Sequence, residues 1–270
     1  MQGVVKERVE MTQETNGQKV CFVGAGPGDV DLITVKGRQL LDAADCIIYA
    51  GSLVNPELLS GCRAIIHDSS LLNLDEIIGI IHKVWQEGGL VVRLHTGDPS
   101  VFGAIKEQMV RLDALSIPYM VVPGVSSAFA AAASLRAELT LPEIAQTIII
   151  TRQEGRTPVP EREKLKNLAV HQTTMLIFLS VGMLSKVVEE LRAGGYTEDT
   201  PVAVVERASW INERIVRGTL ATICRLVTDE GITKTAMICV GAVFADLPPQ
   251  TVSKLYDKHF SHGTRKAIHD

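Results

Sequence analysis

The stretch KVCFVGAGPGDVDLITVKG, residues 19–37, decides the fold class. Its apolar run up to Gly24 predicts a buried strand, and the spacing of apolar residues after Ile33 predicts a helix. The turn between them departs from the dinucleotide fingerprint G-x-G-x-x-G, because Asp29 stands where the third glycine belongs. It also lacks the lysine of a phosphate-binding P-loop. The stretch therefore predicts the first strand–loop–helix unit of an α/β domain and disfavours nicotinamide or P-loop nucleotide binding.

Outward from this unit, short apolar runs alternate with helical patterns as far as residue 135. This alternation is typical of a mostly parallel sheet with helices on both faces. The second half has more strand candidates for each helix, among them TIIITR, TTMLIFLS and AMICVGAVF, which predicts an α+β domain on a mixed sheet. The predicted divisions are a polar, disordered leader at 1–18, an α/β domain at 19–123, an α+β domain at 124–246 and a tail at 247–270.

Three glycine- or proline-rich loops follow strands of the first half: GAGPGD at 24–29, HTGDP at 95–99 and PGVSS at 123–127. A tight turn alone would explain one loop of this kind. In open α/β sheets, however, ligands bind beyond the carboxyl ends of the strands. Three such loops at strand ends therefore predict a shared small-molecule site.

The composition is that of a globular protein and narrows the class of partner. The 270 residues are 46% hydrophobic and 21% charged, and the net charge of −4 disfavours a nucleic-acid partner. No apolar stretch approaches the roughly 18 residues of a membrane span, and the first residues lack an apolar signal core. The five cysteines form no C-x-x-C pair, which predicts buried, reduced thiols in a cytoplasmic protein.

Four motifs resemble those of the tetrapyrrole (precorrin and uroporphyrinogen) methylases: VGAGPGDVDLITVKG, RLHTGDPSVFGA, VVPGVSSAFAAAA, and TPVAVVERAS followed by IVRGTL. They extend from Val23 to Leu220. The segments YAGSLVNPELL, TRQEGRTPVPEREKL and SKLYDKHFSHGTRK are most similar to the precorrin-4 C-11-methyltransferases, including the cobalt-precorrin-4 type. The resemblance implies a two-domain α/β fold, S-adenosylmethionine as cofactor, S-adenosylhomocysteine as product, a tetrapyrrole acceptor and a homodimer.

By this resemblance, the cofactor is bound by residues of the glycine-rich loops and of strand ends in the second half. These residues are Pro27, Thr96, Gly97, Asp98, Val101, Phe102, Ser126, Ser127, Leu179, Ser180, Ala208, Ala242 and Val243. Asp98 is a candidate acceptor of cofactor hydrogen bonds and, alternatively, the N-cap of a helix starting near Pro99. Ser126 and Ser127 have the same alternative as helix caps. The apolar strand-end residues suit a flat adenine but are equally compatible with ordinary core.

The acceptor implied by the resemblance carries acetate and propionate groups. Arginine is their natural partner, because its planar guanidinium binds carboxylates bidentately. The candidate substrate residues are Tyr49, Ser52, His95, Arg152 and Arg156. For the two arginines the alternative is a solvated loop with ion pairs, and for His95 it is a structural histidine.

Methyl transfer from a sulfonium needs no protein nucleophile, only alignment of donor and acceptor. No general base is assigned beyond Glu154 as a candidate. His259 and His262 have H-x-x-H spacing, but one pair is only half of a zinc site. We therefore expect no protein-bound metal, and any cobalt would arrive within the substrate.

Three alternatives stay open. The chain could methylate another ring carbon or another tetrapyrrole. It could act on ribosomal RNA or a protein, which the acidic charge and the lack of a basic stripe disfavour. It could also be a module that binds S-adenosylmethionine without catalysis.

Overall fold

A computed structural model describes residues 19–245, 253–254, 257–261 and 263–267. Their contacts divide into two compact units. The first contains residues 19–25 and Ile33–Gly124, and the second contains Gly26–Leu32 together with the described residues from Val125 onward. The leader expected at 1–18, much of the tail and His262 lie outside the described residues.

The first unit is a five-stranded sheet with helices between its strands. The strands are β1 (Val20–Gly24), β2 (Cys46–Tyr49), β3 (Ile65–Asp68), β4 (Val91–His95) and β5 (Tyr119–Val122), and the helices are α1 (Val35–Ala43), α2 (Leu74–Gln86) and α3 (Lys106–Ala114). The strand order is β3-β2-β4-β1-β5, and every pair is parallel. The parallel sheet predicted for the first half is confirmed. β1 and β4 are buried along their whole length, as expected where helices cover both faces.

The order of these strands creates a switch point between β1 and β4. The chain leaves β1 for β2 in one direction along the sheet and leaves β4 for β5 in the other. Adjacent strands whose connections diverge in this way open a crevice at their carboxyl ends. Gly24 ends β1 and His95 ends β4, so both strands end at the glycine-rich loops that the sequence singles out.

The second unit has a mixed sheet. Its elements are α4 (Ser127–Leu135), β6 (Ile148–Arg152), α5 (Leu165–Ala169), β7 (Thr174–Phe178), α6 (Leu184–Ala193), β8 (Pro201–Glu206), β9 (Arg214–Thr219), α7 (Ile223–Asp229) and β10 (Ala236–Val240). The order is β6-β7-β10-β8-β9, in which only β6 and β7 pair in parallel. The mixed sheet predicted for the second half is confirmed.

The boundaries differ from the prediction at particular elements. AMICVGAVF does not form one strand: β10 ends at Val240, Gly241 takes a φ of 135°, and Ala242–Phe244 form a 3-10 turn. Helix α5 was not predicted from the sequence, because a five-residue helix is too short to show a hydrophobic period.

Helix starts follow the capping chemistry of the sequence. Asn73 and Glu76 form a reciprocal capping box at the start of α2, and the hydroxyl of Ser126 accepts a hydrogen bond from the Ala128 amide at the start of α4. Across the described ranges, no helix is long and apolar enough to cross a membrane.

Candidate functional site

The switch point of the first unit is packed backbone against backbone. The Ala25 amide donates to the His95 carbonyl at 2.7 Å. A Cβ on Gly24 would lie 2.5 Å from the Gly124 Cα, and a Cβ on Gly124 would lie 2.1 Å from the Gly97 carbonyl oxygen. No other residue type fits Gly24 or Gly124, because neither contact leaves room for a side chain. The ends of the three loop-bearing strands therefore meet at one point, as the loop pattern predicts.

The Asp98 side chain links the loop after β4 to the loop after β5 by hydrogen bonds. One carboxylate oxygen accepts the Ser100 amide at 2.8 Å, and the other accepts the Gly124 amide at 2.9 Å. The helix expected to start near Pro99 is absent, and α3 begins only at Lys106, so the prediction that Asp98 caps that helix is wrong. The physical reason is the local backbone: Phe102 and Ala104 adopt left-handed φ values of 54° and 48°, which interrupt a helix.

A pocket of about 390 Å³ lies in the first unit beside β2 and β4. Its lining includes Thr96, Val101 and Phe102, predicted for the cofactor, and His95, predicted for the substrate. Most of the remaining wall is apolar, and Arg93 also lines it. The volume falls in the roughly 300–1,000 Å³ range of small-molecule sites. The structure thus brings four of the predicted residues of the first unit into one pocket.

Burial sets the charge state of two pocket residues. Arg93 and His95 are each only 5% exposed. Burial, together with the nearby charge of Arg93, lowers the pKa of His95 to about 3, so the imidazole is neutral near pH 7. Burial also lowers the pKa of Arg93 to about 10, which leaves the guanidinium charged at that pH. The pocket therefore holds a fixed positive charge beside a neutral ring.

In the second unit, Pro27 is held by a loop that follows β8. The indole Nε1 of Trp210 donates to the Pro27 carbonyl at 2.9 Å, and the Asp29 amide donates to the Ser209 hydroxyl at 3.0 Å. A Cβ on Gly28 would lie 2.0 Å from the Trp210 ring, so the indole packs where a side chain would otherwise be. These contacts hold the GPGD turn in a fixed position.

Neither Ser209 nor Trp210 was predicted as a site residue from the sequence, although Ser209 ends the motif TPVAVVERAS. Glu213 anchors their loop, because its carboxylate accepts hydrogen bonds from the Ser209 amide and the Ser134 hydroxyl, both at 2.6 Å. The guanidinium of Arg207 lies 5.6 Å from the Trp210 ring centre. The signal that could have found Trp210 was a large aromatic residue within a polar turn.

The other cofactor candidates of the second unit lie just beyond strand ends. β7 ends at Phe178, and the next residue, Leu179, has a φ of 55° and is 68% exposed. Ser180 is buried and accepts the Gln153 amide at 2.8 Å. The remaining candidates divide by burial: Ala208 and Val243 are buried, Ser127 is half-buried and Ala242 is exposed. Ala242 and Val243 were predicted on the last strand, and they lie instead in the 3-10 turn after it.

The two arginines of the loop after β6 have different surroundings. Arg152 donates to the carbonyls of Thr157 and Pro158 at 3.1 and 2.8 Å, so its guanidinium braces the loop itself. Arg156 is exposed and makes no hydrogen bond or ion pair with the described residues. The Glu154 carboxylate accepts the Val159 amide at 3.4 Å. Of the two arginines, Arg156 is the one whose guanidinium stays open to a ligand.

The candidates near β2 belong to the first unit. Tyr49 ends β2 and is half-buried, and its carbonyl accepts the Ser69 hydroxyl at 2.8 Å. Ser52 is exposed within the 3-10 turn Gly51–Leu53. The neighbouring Leu53 lines the pocket. His259 is described and exposed, and the described residues contain no cluster of three His, Cys, Asp or Glu side chains suited to a metal ion.

Comparison with known proteins identifies relatives along most of the chain. The family model described as Tetrapyrrole (Corrin/Porphyrin) Methylases matches residues 19–224. A cobalt-precorrin-4 C(11)-methyltransferase of Methanocaldococcus jannaschii is 58% identical over 256 residues, which cover 93% of this chain and 98% of the relative. A precorrin-4 C(11)-methyltransferase of Pseudomonas aeruginosa is 48% identical, covering 84% and 90% of the two chains.

Solved structures give the same grouping. The X-ray structure of a cobalamin biosynthetic enzyme, cobalt precorrin-4 methyltransferase, superposes with a TM-score of 0.84 at 46% identity and covers 87% of this chain and 99% of its own. The uroporphyrin-III C-methyl transferase of Thermus thermophilus, solved in complex with S-adenyl homocysteine, superposes with a TM-score of 0.70 at 29% identity. That match covers 83% of this chain and 92% of the other.

Proposed function

Because the chain belongs to the family of tetrapyrrole (corrin/porphyrin) methylases, we propose that it transfers a methyl group from S-adenosylmethionine to C-11 of precorrin-4 or cobalt-precorrin-4. The product would be the corresponding precorrin-5 in cobalamin biosynthesis. The observation that carries the proposal is the 58% identity to a cobalt-precorrin-4 C(11)-methyltransferase over nearly the full length of both chains.

The chemistry asks little of the protein beyond binding and alignment. S-adenosylmethionine supplies a methyl group already activated on a sulfonium. The chain must bind donor and acceptor in line and exclude water from the reacting atoms, which is the contribution of proximity and orientation. The glycine-packed switch point, the braced Asp98 and the adjoining pocket suit this positioning role, because they form a rigid frame rather than a reactive group.

The cofactor-binding part of the proposal rests on the loops. Thr96, Val101 and Phe102 line a pocket of suitable volume, and Gly97 packs at the switch point that governs ligand binding in open α/β sheets. Pro27 belongs to a turn fixed by hydrogen bonds. We keep the second-unit residues Ser126, Ser127, Leu179, Ser180, Ala208, Ala242 and Val243 as cofactor candidates on the strength of the resemblance alone.

The acceptor-binding part rests on exposed or pocket-lining polar groups. Arg156 offers a guanidinium that forms no hydrogen bond or ion pair with the described part of the chain, and His95 lines the pocket. Tyr49, Ser52 and Arg152 stay candidates from the resemblance. Glu154 stays the candidate base, although its carboxylate already accepts a backbone amide. Relatives named for precorrin-4 and for cobalt-precorrin-4 both match, so the proposal covers either acceptor.

We also propose a homodimer in the cytoplasm. The homodimer follows from the family resemblance. The cytoplasmic location is supported by five cysteines without disulfide bonds, three of them buried, since an oxidising compartment favours disulfides.

The decisive experiment is incubation of the protein with precorrin-4, with and without cobalt, and methyl-labelled S-adenosylmethionine. We expect one labelled methyl group at C-11, located by mass and NMR spectroscopy. Label at another carbon would move the enzyme to a different step. Binding of S-adenosylhomocysteine without transfer to any tetrapyrrole would indicate a non-catalytic module. Calorimetry should show no NAD binding, and light scattering should report a dimer.

A further inference from the structure

Arg93 carries a buried positive charge that has no acidic partner among the residues that the structure describes. It lies on β4, between β2 and β1 in the sheet, and is 5% exposed. Its guanidinium donates to the Gln108 side-chain oxygen at 3.0 Å, the Ile48 carbonyl at 2.9 Å and the Ser69 hydroxyl at 3.1 Å. All three acceptors are neutral, and no carboxylate among the described residues forms an ion pair with it. Three of its five N–H groups are used, which leaves two for another acceptor.

A charge in this position is costly unless something compensates it. Buried charged groups in proteins are normally paired, because removal of the ion from water costs several kcal/mol that neutral hydrogen bonds only partly return. Arg38 and Arg111 of the first unit are far more exposed than Arg93, and yet they pair with Asp42 and Asp75, both at 2.7 Å. The missing counter-charge of Arg93 therefore suggests a ligand.

His95 supplies an independent observation on the same face of the strand. It lies two residues after Arg93, and alternate residues of a strand point to the same side of the sheet. It is also 5% exposed, and its buried Nε2 makes no hydrogen bond with the described residues. Both side chains line the pocket of about 390 Å³, so a buried cation and an unsatisfied ring nitrogen share one cavity.

The rest of the pocket favours an apolar body attached to the anionic group. Leu53, Leu74 and Ile77 form part of the wall, and Val101 and Phe102 another part. The acid Glu107 also lines the pocket, but it is exposed and forms no ion pair with Arg93. An anion that enters is therefore attracted to the buried end, where the positive charge lies.

We propose that the pocket lined by Arg93 and His95, the Arg93 pocket, binds a carboxylate that is carried on an apolar body. The inference rests on the proposed function, which offers two sources of such a group. One is an acetate or propionate side chain of the tetrapyrrole, and the other is the carboxylate of the cofactor's methionine part. In both cases the two free N–H groups of Arg93 donate to the carboxylate, and Arg93 is the group that selects it.

The test compares Arg93→Met with Arg38→Met, a control that removes a unit-one arginine outside the pocket. Calorimetry measures S-adenosylhomocysteine and 5′-methylthioadenosine, which lacks the carboxylate, and fluorescence measures uroporphyrin III, a stable tetrapyrrole carboxylic acid. Because Arg93→Met removes charge-assisted hydrogen bonds, we expect it to bind the ligand that supplies the carboxylate about 10- to 150-fold more weakly than the parent does. Arg38→Met should keep all three affinities.

The pattern of loss identifies the source. A loss for S-adenosylhomocysteine but not for 5′-methylthioadenosine indicates the cofactor carboxylate, and a loss for uroporphyrin III indicates the acceptor. A folded Arg93→Met variant that binds all three ligands like the parent overturns the proposal. So does a parent protein, labelled with ¹⁵N-histidine, whose His95 ring nitrogen signals do not shift with saturating ligand. This second measurement uses the parent protein, so it does not depend on the folding of Arg93→Met. The one variant that it needs is His95→Gln, which assigns the His95 signals.

The two proposals fail separately. If Arg93→Met weakens ligand binding but the parent protein methylates no tetrapyrrole, the proposed function is contradicted and the carboxylate pocket is supported. If the parent protein methylates precorrin-4 and Arg93→Met binds every ligand as tightly as the parent, the carboxylate pocket is contradicted and the proposed function is supported.

Discussion

Arg152 and Arg156 lie on one loop, yet their side chains have opposite surroundings. Arg156→Ala removes an exposed guanidinium that forms no hydrogen bond or ion pair with the described residues, so we expect unchanged thermal stability. If it binds an acceptor carboxylate, the KM for the tetrapyrrole should rise about 10- to 150-fold. Arg156→Lys should restore part of the loss, since lysine keeps the charge but not the planar fork. Steady-state kinetics and cofactor calorimetry measure the two effects separately.

Two controls accompany this variant. Arg152→Ala removes the bonds to the Thr157 and Pro158 carbonyls and should lower the free energy of unfolding by about 1 kcal/mol. Arg225→Ala removes an exposed arginine that pairs with Asp229 on α7 and should leave KM unchanged. Parental kinetics for Arg156→Ala would exclude that residue from acceptor binding.

Asp98 gives a second prediction, because both of its carboxylate oxygens accept backbone amides. Asparagine has one oxygen, so Asp98→Asn turns an NH₂ group toward an N–H donor and leaves that donor unsatisfied. We expect a loss of about 1–3 kcal/mol in unfolding free energy and weaker S-adenosylhomocysteine binding. Asp45→Asn is the matched control: one oxygen of Asp45 accepts the Leu90 amide at 2.7 Å, and asparagine keeps that bond. Equal stability of Asp98→Asn and the parent would contradict the bracing role.

At the scale of elements, the turn around Gly28 and the loop around Trp210 fit each other. Gly28→Ala would put a methyl group about where the indole lies, and Trp210→Ala would remove both the indole and its bond to the Pro27 carbonyl. Each single variant should weaken S-adenosylhomocysteine binding if Pro27 contacts the cofactor. The double variant should lose less than the sum, because the clash disappears with the indole. Calorimetry on the four proteins of the cycle measures the coupling, and strictly additive losses would contradict the fit.

The sequence predicted most elements because periodicity and turn chemistry are local. Ser126 caps α4, which is the alternative role that the sequence suggested for it. The features that the sequence did not predict depend on the folded backbone or on residues that are distant in the sequence. α3 starts late because Phe102 and Ala104 take left-handed conformations that no propensity signals, and the last strand stops at Gly241 for a backbone reason. Trp210 was missed because its partner Pro27 lies 183 residues away in the sequence.

At the scale of the whole molecule, buried His95 makes stability depend on pH. The unfolded chain binds a proton at this residue below a pKa of about 6.5, whereas the folded protein resists protonation until about 3. The unfolded state therefore holds more protons between these values, and stability falls as the pH falls from 6.5 toward 3. This one group should contribute a slope of up to about 1.4 kcal/mol per pH unit.

Urea unfolding of the parent and of His95→Gln across pH 4–7 measures this contribution. Glutamine does not titrate, so the difference in unfolding free energy between the two proteins should change with pH by about that slope. A His95→Gln curve parallel to the parent would show that His95 titrates alike in both states.

The sequence also predicted the two sheets. It placed the glycine-rich loops at strand ends and predicted a shared ligand site there, because ligands of open α/β sheets bind beyond the carboxyl ends of the strands. It did not predict the charge pattern of the pocket. Arg93 reads in the sequence as one polar residue inside an apolar run, VVRLH, and nothing local shows that it lacks an acid. Such a mismatch is visible only once the neighbours of the strand are known.

The packing of Gly24, Gly97 and Gly124 has a consequence for evolution. Most steric conflicts in a core can be relieved by a second substitution that shrinks the neighbour. Here the nearest atoms to a Cβ on Gly24 or on Gly124 are backbone atoms, and the two glycines oppose each other with no side chain left to shrink. Random mutagenesis of the gene for the Gly24→Ala variant should therefore yield revertants at Gly24 and no second-site suppressors at the contact. Homologues should likewise keep glycine at both positions.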